Sequence, residues 1–236
     1  MTGYQRAKLA NFCDVLVFDA KRSGVSSFDW SKLIAVVFDQ EGKIRETCTA
    51  LAVTESGEMY EELCKFLLEQ CPHVQINNKV NISDGLFLSE EMLPVLFPHA
   101  QHMDDAFHMV NINCVQHCPV HELPKMKPLV WRMVKEYEEC EFQKAHAQLM
   151  VDCPQFYSEY FASNWMTRKH RWASHLTQQV FTGGVIASSY AESSGAAQGK
   201  WLQSPRHSLV DILLSCLEKE DLDIKKEQKD LALISF

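Results

Sequence analysis

Three short runs rich in apolar and β-branched residues, separated by turn-forming residues, lie within the first 53 residues of the chain and constrain its fold more than any other feature. The runs are residues 13–18, 32–38 and 44–53. Short runs rich in β-branched and aromatic residues are typical of buried strands, and Asp-Gln-Glu-Gly at 39–42 is a hairpin turn signal. We therefore predict three consecutive strands in meander order.

The hydrophobic period changes after Ser56 from that of strands to that of a helix. A first amphipathic helix is predicted to end near Cys71-Pro72, and Val-Asn-Ile-Ser at 80–83 predicts another short strand. A second helix follows and is terminated by Pro98. The order β-β-β-α-β-α predicts an α/β fold in which helices cover a mixed sheet.

Beyond His108 the apolar spacing is helical almost throughout, which predicts a helical lobe. A stretch of small residues at 187–199 interrupts it before a final helix. The segment 218–236 is highly charged, so we predict a solvated helix or a frayed end there.

The composition narrows the classes of protein that the chain can belong to. With 236 residues, of which 46% are hydrophobic, it can bury one sizeable core or a core with an inserted lobe. No apolar run approaches the roughly 20 residues that a membrane span needs, so no membrane partner is expected. The net charge of −8 provides no global attraction to a polyanion. The start resembles no signal peptide, so we expect the nine cysteines to stay reduced.

Two acids, Asp19 and Asp84, directly follow short apolar runs. The carboxyl ends of neighbouring strands are where an open α/β sheet presents its ligand-binding groups, so these two carboxylates are candidates for sharing a Mg²⁺ ion. The alternative is that each acid caps a turn or a following helix, as aspartate at a strand end often does.

Several blocks of the sequence carry a resemblance to a known family. They are residues 14–20 (Asp-Val-Leu-Val-Phe-Asp-Ala), 82–85 (Ile-Ser-Asp-Gly), 96–100 (Leu-Phe-Pro-His-Ala) with His102, and 192–193 (Glu-Ser) followed by Lys-Trp-Leu at 200–202. Through them the region from about residue 14 to residue 217 resembles the catalytic domain of Mutator-like element (MULE) transposases. That domain also occurs in the domesticated far-red-response regulators of plants.

The resemblance implies an RNase H-like fold, in which a three-strand meander and further strands form a mixed sheet with helices on its faces. An all-helical insertion would precede the last catalytic helix. The implied divisions are residues 12–115 for the first part of the core, 116–182 for the insertion, 183–217 for the return to the core with the catalytic glutamate, and 218–236 for a charged tail.

The resemblance also implies the active site, a triad of Asp19, Asp84 and Glu192 that binds two Mg²⁺ or Mn²⁺ ions. His108 would be an accessory group, and His102 and Asp105 would support the site. Asp105 stands where the family usually has a cysteine, in a Cys-x-x-His pattern that is Asp-x-x-His here.

The implied function is metal-dependent phosphodiester hydrolysis and strand transfer on double-stranded DNA at transposon ends, in the nucleus. Candidate DNA contacts are Arg168, Lys169, Arg171 and Lys200, although a basic run is equally typical of a solvated helix face. Homo-oligomerisation stays open. The alternative is a domesticated or decayed regulator or scaffold that keeps the fold without the chemistry, as the departures at Lys21, Asp105 and Gly195 indicate.

The other motifs in the sequence are weaker indications of function. Cys114, His117, Cys118 and His121 have residue types that suit zinc, but their spacing is too compressed for a standard structural site, so structural zinc is not expected. A zinc-stabilised interaction module remains a third hypothesis. No Gly-x-Gly-x-x-Gly fingerprint occurs, and no nucleotide cofactor is expected. Trp165 and Trp172 are interpreted as core aromatics of the lobe rather than as DNA-stacking groups.

Overall fold

A computed structural model describes residues 1–21, 30–54, 56–84, 92–178 and 209–234. Within these ranges the chain has an α/β architecture with a single five-stranded mixed sheet and helices on its faces, as the sequence predicts. The strands are β1 (Val15–Lys21), β2 (Ser31–Phe38), β3 (Ile44–Ala52), β4 (Val80–Ser83) and β5 (Gln101–Asp104).

The strand order is β3-β2-β1-β4-β5. β1 is antiparallel to β2, and β2 to β3, whereas β1, β4 and β5 run parallel to one another. The meander and β4 are therefore confirmed, but β5 was not predicted as a strand, because its four residues, Gln-His-Met-Asp, contain no apolar run. β1 also extends past Asp19, since Ala20 and Lys21 still pair with β2.

Four helices surround the first part of the sheet among the described residues: α1 (Gly3–Asn11), α2 (Gly57–Gln70), α3 (Val74–Asn77) and α4 (Met92–Leu96). α2 begins at the N-cap Ser56, whose side chain accepts a hydrogen bond from the amide of Met59. α1 was not predicted. It is held by a capping box in which Thr2 and Gln5 satisfy each other's backbone amides.

The two faces of the sheet bury different residues because side chains alternate along each strand. Leu16 and Phe18 of β1 face the core that α1 and α2 help to form. Val15 and Val17 lie on the opposite face. There they join apolar residues of the neighbouring strands, namely Ile34, Val36, Val80, Ile82 and Met103. Both faces of the central strands are therefore covered.

Residues 106–178 are helical and form a second apolar core. Their α-helices are α5 (Val115–His117), α6 (Leu123–Lys135), α7 (Glu139–Asp152), α8 (Pro154–Phe156), α9 (Ala162–Asn164) and α10 (Ser174–Thr177), with π-helical segments at His108–Cys114 and Tyr157–Phe161 and a 3₁₀ segment at Met166–Arg171. Trp165 and Trp172 are 1% and 2% exposed in this core. Their interpretation as core aromatics is confirmed.

The last described element is the long helix α11 (Leu209–Ile234), which crosses residues 217–218 without a break. It is tied to the rest of the fold, since Thr2 Oγ1 donates to Glu220 Oε1 at 2.6 Å and Lys219 Nζ lies 2.9 Å from Glu46 Oε2 of β3. Of the two predicted alternatives for residues 218–236, the described part is the helix, and these contacts hold it against the fold. No helix in the described ranges has the length and apolarity needed to cross a membrane.

Candidate active site at the carboxyl ends of β1, β4 and β5

Three acids fall in one row across the parallel strands. Val15 of β1 pairs with Val80 of β4, and the same offset of 65 residues matches Asp19 with Asp84. Val80 pairs with Gln101 of β5, and that offset of 21 residues matches Asp84 with Asp105. Because neighbouring strands are spaced by about 4.8 Å, these three acids start from adjacent positions on the sheet.

The alternation of side chains, continued one residue past the ends of β4 and β5, directs the three acids to the same face of the sheet. Alternation from Val17, Ile82 and Met103, which share one apolar cluster, puts the side chains two residues further on at that face. Asp19 is buried at 9% exposure, and Asp84 is partly exposed at the rim. The predicted neighbourhood of Asp19 and Asp84 therefore agrees with the register of the strands, and Asp105 extends it by one strand.

Asp105 forms the N-cap of the helix that leaves the sheet. Its Oδ1 accepts hydrogen bonds from the amides of Phe107, at 2.7 Å, and His108, at 3.2 Å. Its own amide donates to the carbonyl of Ser83 at 2.6 Å, which continues the ladder beyond β5. Aspartate is among the best N-cap residues, so Asp105 has a direct structural role at this position.

The ring of His108 lies beside the row of acids and contacts Asp105. Nδ1 lies 2.9 Å from Asp105 Oδ2. Burial lowers the pKa of the ring, but the hydrogen bond and charge of Asp105, followed by the charges of Asp19 and Asp84, outweigh burial and raise the pKa to about 9. At neutral pH His108 is therefore a cation among carboxylates, and the influence of Asp19 and Asp84 on it is a second sign that these groups lie together.

Asp104, the residue before Asp105, faces the other side of the sheet. Arg171 Nη2 lies 2.7 Å from its Oδ1 and Arg168 Nε lies 3.3 Å from its Oδ2. Arg171 is only 4% exposed, so its guanidinium does not lie on the surface that a DNA backbone would contact. The predicted basic surface is corrected in this respect: Arg171 pairs within the fold, Arg168 is partly buried beside it, and Lys169 is also only partly exposed.

His102 belongs to the same side as Asp104. Its Nε2 lies 3.4 Å from Ser83 Oγ, and burial together with the charges of Arg171 and Arg168 lowers its pKa to about 3. The ring is therefore neutral at all physiological pH values. Strand alternation directs it away from Asp105, so His102 lies on the other side of the sheet from the row of acids.

The Cys-His cluster does not gather into one site. Cys114 is fully buried, the ring of His117 stacks on Tyr160 with centroids 4.0 Å apart, and the side chain of His121 is 74% exposed. Burial raises the pKa values of Cys114 and Cys118, which disfavours the thiolates that zinc requires. These residues have the environments of core and surface groups.

The remaining predicted residues, Glu192 and Lys200, lie outside the described residues. Within the described ranges, no group of three or more His, Cys, Asp or Glu side chains is arranged to hold a metal ion. Asp19 and Asp84 are the described acids to which the resemblance assigns a divalent ion, and Asp19 Oδ1 also accepts a hydrogen bond from the amide of Ala20 at 2.9 Å. Two carboxylates fit Mg²⁺, which usually takes one or two protein carboxylates and completes its octahedron with water and phosphate oxygens.

No protein-family model matches the chain, and no curated protein matches it. The features of the chain that point to a function are therefore the row formed by Asp19, Asp84 and Asp105, the neighbouring His108, and the resemblance of the sequence blocks around them.

Proposed function

We propose that this chain is the catalytic core of a Mutator-like DNA transposase, which hydrolyses phosphodiester bonds and transfers DNA strands in a metal-dependent reaction. The observation that carries the proposal is the register that matches Asp19 of β1 with Asp84 beyond β4 on the same face of the sheet. The resemblance of the sequence assigns catalytic roles to the same two acids.

The strand arrangement supports the finer assignment to an RNase H-like fold. A three-strand antiparallel meander is followed by two strands parallel to β1, in the order β3-β2-β1-β4-β5. This is the mixed sheet that the resemblance implies, with its acids at the carboxyl ends of parallel strands, where α/β sheets place ligands.

Asp19 and Asp84 would hold Mg²⁺ or Mn²⁺, with Glu192 as the third acid that the resemblance implies. A pair of such ions supplies activation of an attacking water or DNA 3′-hydroxyl and stabilisation of the leaving oxygen. His108 balances part of the negative charge of the row, and Asp105 fixes the orientation of its ring through the 2.9 Å contact. In the proposal, His108 and Asp105 together position Asp19 and Asp84 and limit the repulsion between these two carboxylates.

Double-stranded DNA is the proposed substrate, and the nucleus is the proposed compartment. Lys169, Lys200 and the partly exposed Arg168 remain the proposed contacts to the phosphate backbone. Arg171 is not among them, because it is buried against Asp104. Neutralising Lys169 is expected to flatten the salt dependence of DNA binding by a slope of nearly one if it contacts one phosphate.

A second candidate is a domesticated or decayed transposase that acts as a DNA-associated regulator or scaffold. It is favoured by the departures of the sequence from the family pattern at Lys21, Asp105 and Gly195. The engagement of both Asp105 oxygens points the same way, because that acid is committed to the fold.

A strand-cleavage assay separates the two candidates. The purified chain is incubated with linear duplex DNA and Mg²⁺ or Mn²⁺, beside Asp19→Asn, Asp84→Asn and the matched control Asp14→Asn. Asp14 is exposed at the other end of the same strand region as Asp19. We expect the wild type and Asp14→Asn to cleave the DNA, and Asp19→Asn and Asp84→Asn not to cleave it. Equal cleavage by all four proteins would reject the assigned site, and absence of cleavage in all four would favour the regulator.

A further inference from the structure

The two consecutive acids at the end of β5 serve opposite faces of the sheet. Asp104 is completely buried at its side chain and meets Arg171 at 2.7 Å and Arg168 at 3.3 Å. Asp105 caps the outgoing helix and holds His108. Asp104 therefore contacts the 3₁₀ segment, while Asp105, the next residue in the chain, contacts the candidate active site.

Both arginines are built firmly into the helical region. The guanidinium carbon of Arg168 lies 4.1 Å from the centroid of the Trp165 ring. Trp172 Nε1 donates to the carbonyl of Trp165 at 2.9 Å, which closes the segment on itself. Both tryptophans belong to the core of the helical region. The two arginines beside them therefore fix Asp104 relative to that region.

A further contact strengthens the junction. Gln101 Nε2 donates to the carbonyl of His170 at 3.4 Å, so both ends of β5 contact the 3₁₀ segment Met166–Arg171. A buried carboxylate that loses its charge leaves its guanidinium partners buried without compensation, which is strongly destabilising. The position of β5 relative to the helical region is therefore sensitive to the charge on Asp104.

We propose that Asp104 is a positioning residue, which through Arg168 and Arg171 sets the backbone from which Asp105 caps the helix and holds His108. It contacts neither substrate nor ion and acts through its neighbour. The proposal depends on the proposed function only for its consequence for catalysis, since the positioning itself is a property of the fold.

Amide hydrogen exchange, measured by NMR on the full chain without DNA or metal, tests the positioning directly. Asp104→Asn is compared with Asp152→Asn, a matched control that removes an aspartate paired with Lys125 on the surface of the same helical region. The amides of Phe107 and His108 donate hydrogen bonds to Asp105. In Asp104→Asn we expect the exchange of these two amides to become about tenfold faster. In the control both amides should stay within about twofold of the wild type.

A merely structural role for Asp104 predicts faster exchange within Met166–Arg171 and unchanged exchange at Phe107 and His108, and that result would overturn the proposal. If Asp104→Asn does not fold, Arg168→Gln replaces it, because it removes the more exposed partner and keeps Arg171. The same two amides should then exchange about threefold faster, and unchanged rates would equally reject the positioning role.

The strand-cleavage assay adds a separate arm. If the wild type cleaves DNA, Asp104→Asn should reduce kcat at least tenfold with little change in the KM for DNA, and full activity would contradict the catalytic consequence. If the wild type does not cleave DNA, the proposed function fails, whereas the exchange rates at Phe107 and His108 still decide whether Asp104 positions Asp105.

Discussion

Replacing Asp105 by asparagine should move the protonation of His108 across neutral pH. Asparagine caps a helix about as well as aspartate, so the change removes the charge beside the ring while sparing the cap. With the charge of Asp105 removed, the pKa of His108 should fall from about 9 toward its ordinary value of 6.5. The contact between Nδ1 and Asp105 Oδ2 is the main source of the upward shift.

The shift has a consequence for stability whose size follows from the two pKa values. A rise from 6.5 to about 9 corresponds to about 3 kcal/mol, at 1.36 kcal/mol per pKa unit, for a ring whose side chain is 17% exposed. Because the folded state binds the proton more tightly, this contribution is complete below pH 6.5 and is lost as the pH rises through about 9. Asp105→Asn should lack this loss between those pH values.

The assay is an NMR titration of the histidine ring carbons from pH 5 to 10. It is combined with urea unfolding at pH 6.5 and at about pH 9, the two ends of the interval in which the stabilisation is lost. His146, whose pKa is lowered by burial and by the charge of Lys169, serves as the internal control. Asp19→Asn and Asp84→Asn should each lower the pKa of His108 by less than Asp105→Asn does, and Asp14→Asn should leave it unchanged. Titration of His108 near 6.5 in the wild type, or no response to Asp19→Asn and Asp84→Asn, would refute the shared site.

Two further predictions concern buried carboxylates outside the candidate site. Burial raises the pKa of Glu46, but the charges of Lys32 and Lys219 outweigh burial and lower it to about 2, so its roughly 3 kcal/mol of stabilisation is present above pH 4.5 and lost toward pH 2. Glu46→Gln should lose about 3 kcal/mol at pH 7 in urea unfolding and show a flatter acid limb, and unchanged stability would contradict this reasoning. Glu122 accepts the amide of Phe156 at 2.9 Å, so Glu122→Ala should cost about 1–2 kcal/mol and lower Tm by about 2–8 °C, whereas an unchanged Tm would show that this cap is dispensable.

The sequence predicted the meander and β4 because these strands contain β-branched and apolar residues bounded by turn signals. β5 escaped prediction because a four-residue strand of mainly polar residues, buried through its pairing with β4, has no hydrophobic period of its own. α1 has no apolar stripe either. Its signal was the capping box of Thr2 and Gln5, a pattern that the sequence contains.

The candidate site was predictable to the extent that strands were. Asp19 and Asp84 each follow an apolar run, so their proximity could be inferred from the ends of parallel strands. The division of labour between Asp104 and Asp105 could not, because it depends on the alternation of a strand that the sequence did not reveal. The basic run at 168–171 likewise concealed the pairing of two arginines with Asp104, a contact between residues distant in sequence.

The central claim, that Asp19 and Asp84 together bind a divalent ion at the sheet edge, is tested most directly by calorimetric titration of the full chain with Mn²⁺. We predict saturable binding to the wild type and to Asp14→Asn, and affinities reduced by at least about tenfold in Asp19→Asn and in Asp84→Asn, because each removes a carboxylate ligand. Equal Mn²⁺ affinity in all four proteins, or no binding by the wild type, would contradict the claim.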